Sequence, residues 1–383
     1  MKYCAALLFS MMLVACASTP VAPPTDRLFN DRLFAGPSER VSADDVFALS
    51  AAMKRFLSTE IAGQKSAKGQ RQVLVDALYA KDQLKLDYDT VMTRNAAQAF
   101  DAHVGNCLSL VIMTAAFARE MGLPIRYQNV NVEEVWSRSG DVYFSIGHVN
   151  LALGRGILDG PFWRGDSEFI TIDFLPEREI RGARTRAIGE ETIVSMYMNN
   201  RAAELLVDGK LDDAYWWARA AITHDPAFSN PYNTLGVIYK RHGNPAEAEK
   251  VLTYALAREP SNTKIMSNLV SVLNTLGRTT EAQTLASKLE LLEPSPPFAH
   301  LNRGMTALRS GDYTSAREQF AKEVARSPYN DELHYWLAVA YVGLGETEAA
   351  RAELAKALEY STTRKSRDMY AAKLDRVRAS QTR

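Results

Sequence analysis

Beyond residue 195 the chain repeats itself every 34 residues. Prolines stand at Pro226, Pro260, Pro294 and Pro328, and glycines at Gly209, Gly243, Gly277, Gly311 and Gly345. Alanines keep the same interval at Ala214, Ala248, Ala282, Ala316 and Ala350. Three residue types held in one register are not coincidence. A unit of this length holds two short helices and their turns, and neither helix can bury its apolar side alone. Neighbouring units must therefore stack. The register predicts five units over 195–362, with Thr362 where the next proline belongs, and a polar capping helix over Ser366–Ala379 within a terminal segment 363–383.

This pattern resembles the tetratricopeptide (TPR) repeat, two antiparallel helices per unit. The second unit matches best, with Tyr232, Leu235, Gly236, Tyr239, Ala248, Ala255 and Pro260 in their expected places. The resemblance implies an all-α superhelix whose first helices line a concave groove. Asn230, Asn233, Lys240, Arg241, Lys264 and Asn274 are expected there. Their amides and cations suit the backbone and carboxylate of a peptide or protein partner; as a bland alternative they are solvated surface residues.

The rest of the chain is different in kind. Over all 383 residues, 46% are hydrophobic and 23% charged, with equal numbers of acidic and basic side chains. That is a globular composition without the basic excess that nucleic acid demands. Residues 1–15 read as a secretory leader, Lys2 followed by the apolar run Ala5–Ala15. Leu13-Val14-Ala15-Cys16 resembles a bacterial lipobox, which implies cleavage before Cys16 and its lipidation; an ordinary leader cut near Ala17 is the alternative. Acyl chains on Cys16 would hold the chain to a membrane. The absence of Asp after Cys16 points to the outer membrane, facing the periplasm, in a Gram-negative envelope. Residues 16–40 would form the lipidated tether. They carry a duplicated Asp-Arg-Leu-Phe at 26–29 and 31–34 whose apolar pairs either dock a partner or pack back onto the following domain.

Residues 41–190 read as one α+β unit. Helices are expected over Val46–Leu57, Arg71–Lys81, Thr93–His103 and Leu108–Met121, and strands over Ile125–Val135, Val142–Leu153 and Phe169–Phe174. The chemistry concentrates here. With Cys4 lost in the leader and Cys16 acylated, Cys107 keeps no disulfide partner within the monomer. Gly105-Asn106-Cys107 places its sulfur at a helix N-terminus, where the dipole and unpaired amides favour a thiolate and can hold an oxyanion. Val149, Leu151 and Leu153 share one strand face, so His148 and Asn150 share the other; Asp173 likewise opposes Ile170, Ile172 and Phe174. If these strands pair, thiol, imidazole and carboxylate meet in the roles of nucleophile, base and orienting acid. Taken singly, each has a bland reading: a buried thiol, a satisfied strand histidine, a turn-capping aspartate. His103 could be a second base but sits where a helix end is expected, and Trp136 and Trp163 either line a substrate groove or pack.

The segments Thr93–Phe100, Gly105–Leu110 and Ala116–Pro124 resemble the core of the transglutaminase-like superfamily. The likeness spans about residues 90–176 and implies a papain-like fold with Cys107, His148 and Asp173 as catalytic residues. Leu108 and Val149-Asn150 stand where many relatives carry tryptophan, which bears on pocket and acceptor. No EF-hand-like acidic loop, glycine-rich phosphate loop or His-rich motif is present, so no metal or cofactor is expected. The sequence thus predicts a papain/transglutaminase-like α+β domain followed by an all-α TPR superhelix. Its expected activity is acyl transfer: hydrolysis of amide or peptide bonds on a substrate the repeats recruit. The alternatives are protein crosslinking by an amine acceptor, and a non-catalytic TPR scaffold for envelope enzymes.

Overall fold

In the computed structural model the described residues are 25–61, 69–79, 84, 86–88, 92–139, 142–155, 169–176, 180–294, 298–361 and 363–380. The leader, Cys4, Cys16, residues 16–24 of the expected tether, Trp163 and the side chain of Trp136 lie outside them.

The α+β region starts with helices α1 (Ala51–Phe56, continued by one π-helical turn to Ile61), α2 (Gln70–Tyr79), α3 (Ala96–Ala102) and α4 (Cys107–Glu120). Two of the expected helix starts move inward, for local reasons. The Val46 carbonyl accepts the Ala96 N–H at 3.0 Å, which takes Val46 out of any helix, and Ser50 caps α1 instead. Asn95 and Gln98 form a capping box, so α3 begins at Ala96 and leaves Thr93 free for a tertiary role. Short strands β1 (Asp87–Tyr88) and β2 (Val104–Gly105) pair in parallel. Strands β3 (Ile125–Ser139), β4 (Val142–Gly154), β5 (Phe169–Ile172) and β6 (Arg184–Ile188) form an antiparallel sheet in the order β5-β4-β3-β6. Leu151 pairs with Ile172, while the β3–β4 register slips between Val130 and Val135, opposite Gly147. Such a bulge bends its strand and re-aims the side chains beside it; here the neighbour is His148.

From Glu190 onward the chain is helical: α5 (Glu190–Val207), α6 (Leu211–His224), α7 (Asn230–Arg241), α8 (Pro245–Arg258), α9 (Thr263–Thr275), α10 (Thr279–Leu292), α11 (Ala299–Arg309), α12 (Tyr313–Arg326), α13 (Asp331–Gly343), α14 (Thr347–Tyr360) and the final α15 (Arg364–Ser380). The repeats therefore begin at 190 rather than 195. The 34-residue register now has a physical meaning. Each glycine of the series follows the first helix of a pair with φ between 75° and 83°, the left-handed cap that reverses the chain. Each alanine of the series is buried in the second helix. At Gly236 the helices of a pair touch: a Cβ there would lie 2.5 Å from the Leu252 side chain.

Residues 25–40 are not a tether. They form two single-turn 3-10 helices and an extended stretch laid across α6–α8. Phe34 stacks on Tyr215 at 3.9 Å between ring centres and also meets Tyr239 and His242. Tyr215 Oη donates to Asp31 at 2.6 Å, and the Asn30 N–H donates to Tyr239 Oη at 2.9 Å. The duplicated motif thus packs on the repeats, not on the domain that follows it.

The apolar interior divides near Pro294. One cluster runs from Leu28 through α4 and the sheet to Ala282, with Leu285 packed against it. A second begins at Phe298 and gathers Leu301, Phe320, Leu333 and Leu337, with Phe320 filling the notch left by Gly304. The last two repeats are therefore expected to unfold apart from the rest. Phe320→Ala should cost about 3–5 kcal/mol and raise hydrogen exchange across 299–360. Protection of α4 and β4 should stay unchanged.

Candidate active site

Cys107 is the first residue of α4. Asn106 caps that helix, its Oδ1 accepting the Ser109 N–H at 2.9 Å and the Ser109 hydroxyl at 2.8 Å. The turn is tight: a Cβ on Gly105 would lie 2.8 Å from Ser109 Cβ, so only glycine fits. Cys107 Sγ lies 3.9 Å from the Gly147 carbonyl of β4, and Cys107 is 5% exposed.

His148 and Asp173 meet as the strand faces suggest. His148 Nε2 lies 2.8 Å and 3.0 Å from the two Asp173 oxygens. β5 ends at Ile172, so Asp173 leaves the ladder; its carboxylate also accepts the Leu175 N–H at 2.9 Å. It both caps a turn and orients the imidazole. With Nε2 committed to Asp173, Nδ1 is the ring nitrogen available to the thiol, and it is buried without another hydrogen-bond partner.

The electrostatics favour an ion pair. Burial opposes charge on Cys107, but the His148 imidazole and the amides of Val149 and Leu108 outweigh it and lower the thiol below its usual range. Burial likewise opposes charge on His148, yet Asp173 and Cys107 push it up to about 9. Asp173 is held below the ordinary carboxylate range, since His148, the Leu175 amide and Asn150 overcome its desolvation. These shifts favour a thiolate beside an imidazolium that Asp173 holds.

Two supporting residues escaped the sequence reading. Asn150 Nδ2 donates to Asp173 Oδ2 at 2.8 Å; its place on the His148 face was the available signal. Tyr79 Oη donates to the Asp173 carbonyl at 2.8 Å and accepts the Asp173 N–H at 3.3 Å; no local pattern marks a contact across 94 residues. His103 has no part in the site: it closes α3 in the left-handed conformation, and its Nδ1 bonds the Leu84 carbonyl at 2.6 Å.

The site opens on a cavity of about 1530 Å³ that continues onto the repeats. Cys107, Asn106 and Gly147 line one end. Of the expected groove residues, Asn230, Asn233, Lys240, Arg241 and Lys264 line it and Asn274 does not. Asn274 repeats the position of Lys240 one unit further along. Asn233 and Lys240 each bond the next repeat, Asn233 accepting from Asn268 at 2.8 Å and Lys240 donating to Ser271 at 2.6 Å. Among the described residues no helix is long and apolar enough to cross a membrane.

A family model described as tetratricopeptide repeat matches residues 239–301 and 307–372. No curated protein matches the chain. Among solved structures, the chain is similar to TTC0263, a thermophilic TPR protein of Thermus thermophilus, at 21% identity over 46% of this chain and 97% of that one, with a TM-score of 0.30. It is similar to MamA at 21% identity over 45% and 93% of the two chains, TM-score 0.26. YrrB, titled a TPR protein with an unusual peptide-binding site, gives 23% identity over 47% and 92%, TM-score 0.26. These TM-scores are low, and the repeat assignment rests on the helix pairs and the family match.

The ion pair sets an expected outcome for thiol labelling. Because Cys107 is lowered, its alkylation by iodoacetamide at pH 7 should be faster than that of an ordinary thiol. His148→Ala leaves only the Val149 and Leu108 amides to oppose burial and should slow labelling at pH 7 by about tenfold or more, one pKa unit being a tenfold change in thiolate. Peptide-resolved mass spectrometry reads the rate at Cys107.

Proposed function

We propose that this chain is a cysteine acyl-transfer enzyme of papain/transglutaminase-like type that hydrolyses amide or peptide bonds in a protein or peptide held by its repeats. The observation that carries the reading is the Cys107–His148–Asp173 chain opening into a cavity whose other end is the repeat groove. The TPR match supports a protein partner in general.

The chemistry follows from the side chains. The Cys107 thiolate attacks the substrate carbonyl, and the oxyanion is held by amides at the start of α4, chiefly the Cys107 N–H. The tetrahedral intermediate collapses as the His148 imidazolium protonates the departing amine, leaving a thioester on Cys107. His148, now neutral, takes a proton from water as the water attacks the thioester. The acid is released, and the proton returns the pair to its starting state. Asp173 fixes the ring through Nε2, so Nδ1 handles every proton. An amine in place of water makes the same site a crosslinking transglutaminase. Lipid on Cys16 would hold this chemistry at the outer membrane, facing the periplasm.

Substrate trapping in the native envelope tests the proposal. After crosslinking, Cys107→Ala should retain a polypeptide that the wild type releases in shortened form, and an added primary amine should leave that product unlabelled. Amine incorporation would assign transamidation instead. Identical partner sets for wild type and Cys107→Ala, with no product from either, would leave the scaffold reading. Turnover should fall as pH rises through about 9, because the imidazolium that protonates the leaving amine is lost there. Palmitate labelling that survives in Cys16→Ser would remove the lipid anchor from the scheme.

A further inference from the structure

The cap that holds Cys107 is completed from the repeats. Asn106, whose Oδ1 caps α4, donates from Nδ2 to Thr93 Oγ1 at 2.9 Å. Thr93 is 2% exposed. The same oxygen accepts Asn200 Nδ2 of α5 at 3.2 Å, and the Thr93 N–H donates to Glu204 Oε1 of α5 at 2.7 Å. Arg201 pairs with Glu204 in turn. One helical position away, Asn199 Oδ1 accepts the Thr234 hydroxyl of α7 at 2.7 Å. Both Asn199 and Asn200 line the cavity beside Cys107. Hydrogen bonds therefore run from α5 through Thr93 to Asn106, and the adjacent residue of α5 bonds the second repeat.

Building on the acyl-transfer reading, we propose that Asn200 and Glu204 are positioning residues for Cys107, acting through Thr93 and Asn106, so that the first repeat helix sets the nucleophile's reactivity as well as forming the groove wall. The physical reason lies in the amide of Asn106. Its oxygen holds the start of α4 through Ser109, and its nitrogen's bond to Thr93 fixes the other side of the amide. Without that anchor the first turn of α4 loosens, and the sulfur drifts from the Val149 amide and the imidazole that favour its charge. A buried network of this kind acts as a unit, since each unpaired member costs the others their geometry.

The test is the rate and pH profile of Cys107 alkylation in the full chain, with iodoacetamide as probe. Thr93→Val and Asn200→Ala should each slow labelling at pH 7 by about five- to tenfold, the loss expected when the thiol rises by up to about one pKa unit, and should move the profile's midpoint upward. Thr93→Ser, which keeps the hydroxyl, should restore both. A simple packing role would not be rescued by the hydroxyl or shift the midpoint. Should Thr93→Val fail to fold, the half-buried Asn200→Ala and Glu204→Gln carry the test. Wild-type rates and midpoints in these variants, with His148→Ala still slow, would overturn the inference and leave the acyl-transfer reading standing. Unchanged labelling in His148→Ala would remove that reading, and this inference with it.

Discussion

Helix α4 has no polar side. Twelve of its fourteen residues, Cys107 to Ala118, are buried, and a helix apolar all round must be covered all round. That requirement organises the N-terminal half of the molecule. The Val149–Leu151–Leu153 face of β4 and the helices α1–α3 supply part of the cover, and α5, the first repeat helix, joins the same apolar cluster. Its last two residues, Arg119 and Glu120, meet solvent, and at its other end the cavity reaches Cys107. Cys107 sits at the start of this enclosed element, with amides that favour charge on its sulfur and the His148 imidazole beside it.

The same packing explains why the two regions meet so closely. α5 is shared: its apolar side belongs to the cluster around α4, while Asn199, Asn200 and Glu204 face the cavity. The groove of the repeats and the mouth of the site then become one space. Residues 25–40 add a fastening across α6–α8, where Phe34 enters an aromatic cluster and Asp31, Ser38 and Glu39 bond the repeat side chains. The polypeptide leaves the α+β region and also returns to the repeats from its own beginning. Both connections end within the first two units, which share the large apolar cluster, and the units beyond Pro294 have a core of their own.

What could be read from the sequence was what is periodic or local. The 34-residue register shows in composition because each glycine reverses a chain and each alanine sits where two helices touch; both are repeated demands on a single position. The faces of β4 and β5 were legible because alternation has a period of two. The meeting of His148 with Asp173 needed one assumption, that the strands pair, and Leu151 opposite Ile172 supplies it. What could not be read is long-range and aperiodic. Residues 17–40 look like linker by composition, yet Phe34 finds Tyr215 far along the chain. Thr93 looked like a helix start, but Asn95 takes that role and Thr93 bonds α5. Tyr79 carries no signal at all. Asn150 is the intermediate case: its face was evident, its partner was not.

Asn150 also shows how the site divides its tasks. Its amide nitrogen holds Asp173, while its buried Oδ1 has no hydrogen-bond partner. A buried acceptor left open costs about 1–3 kcal/mol, so the sequence tolerates a local loss to keep the carboxylate aligned. The neighbouring His148 Nδ1 is also buried without a hydrogen-bond partner, while Nε2 of the same ring is held by Asp173. Among the described residues three buried side-chain atoms lack a partner, and two of them, on His148 and Asn150, share one face of β4, the third being Thr114 Oγ1 of α4. A packing thiol needs neither a histidine with one free nitrogen nor a carboxylate held by three donors, and Cys107 has both beside it.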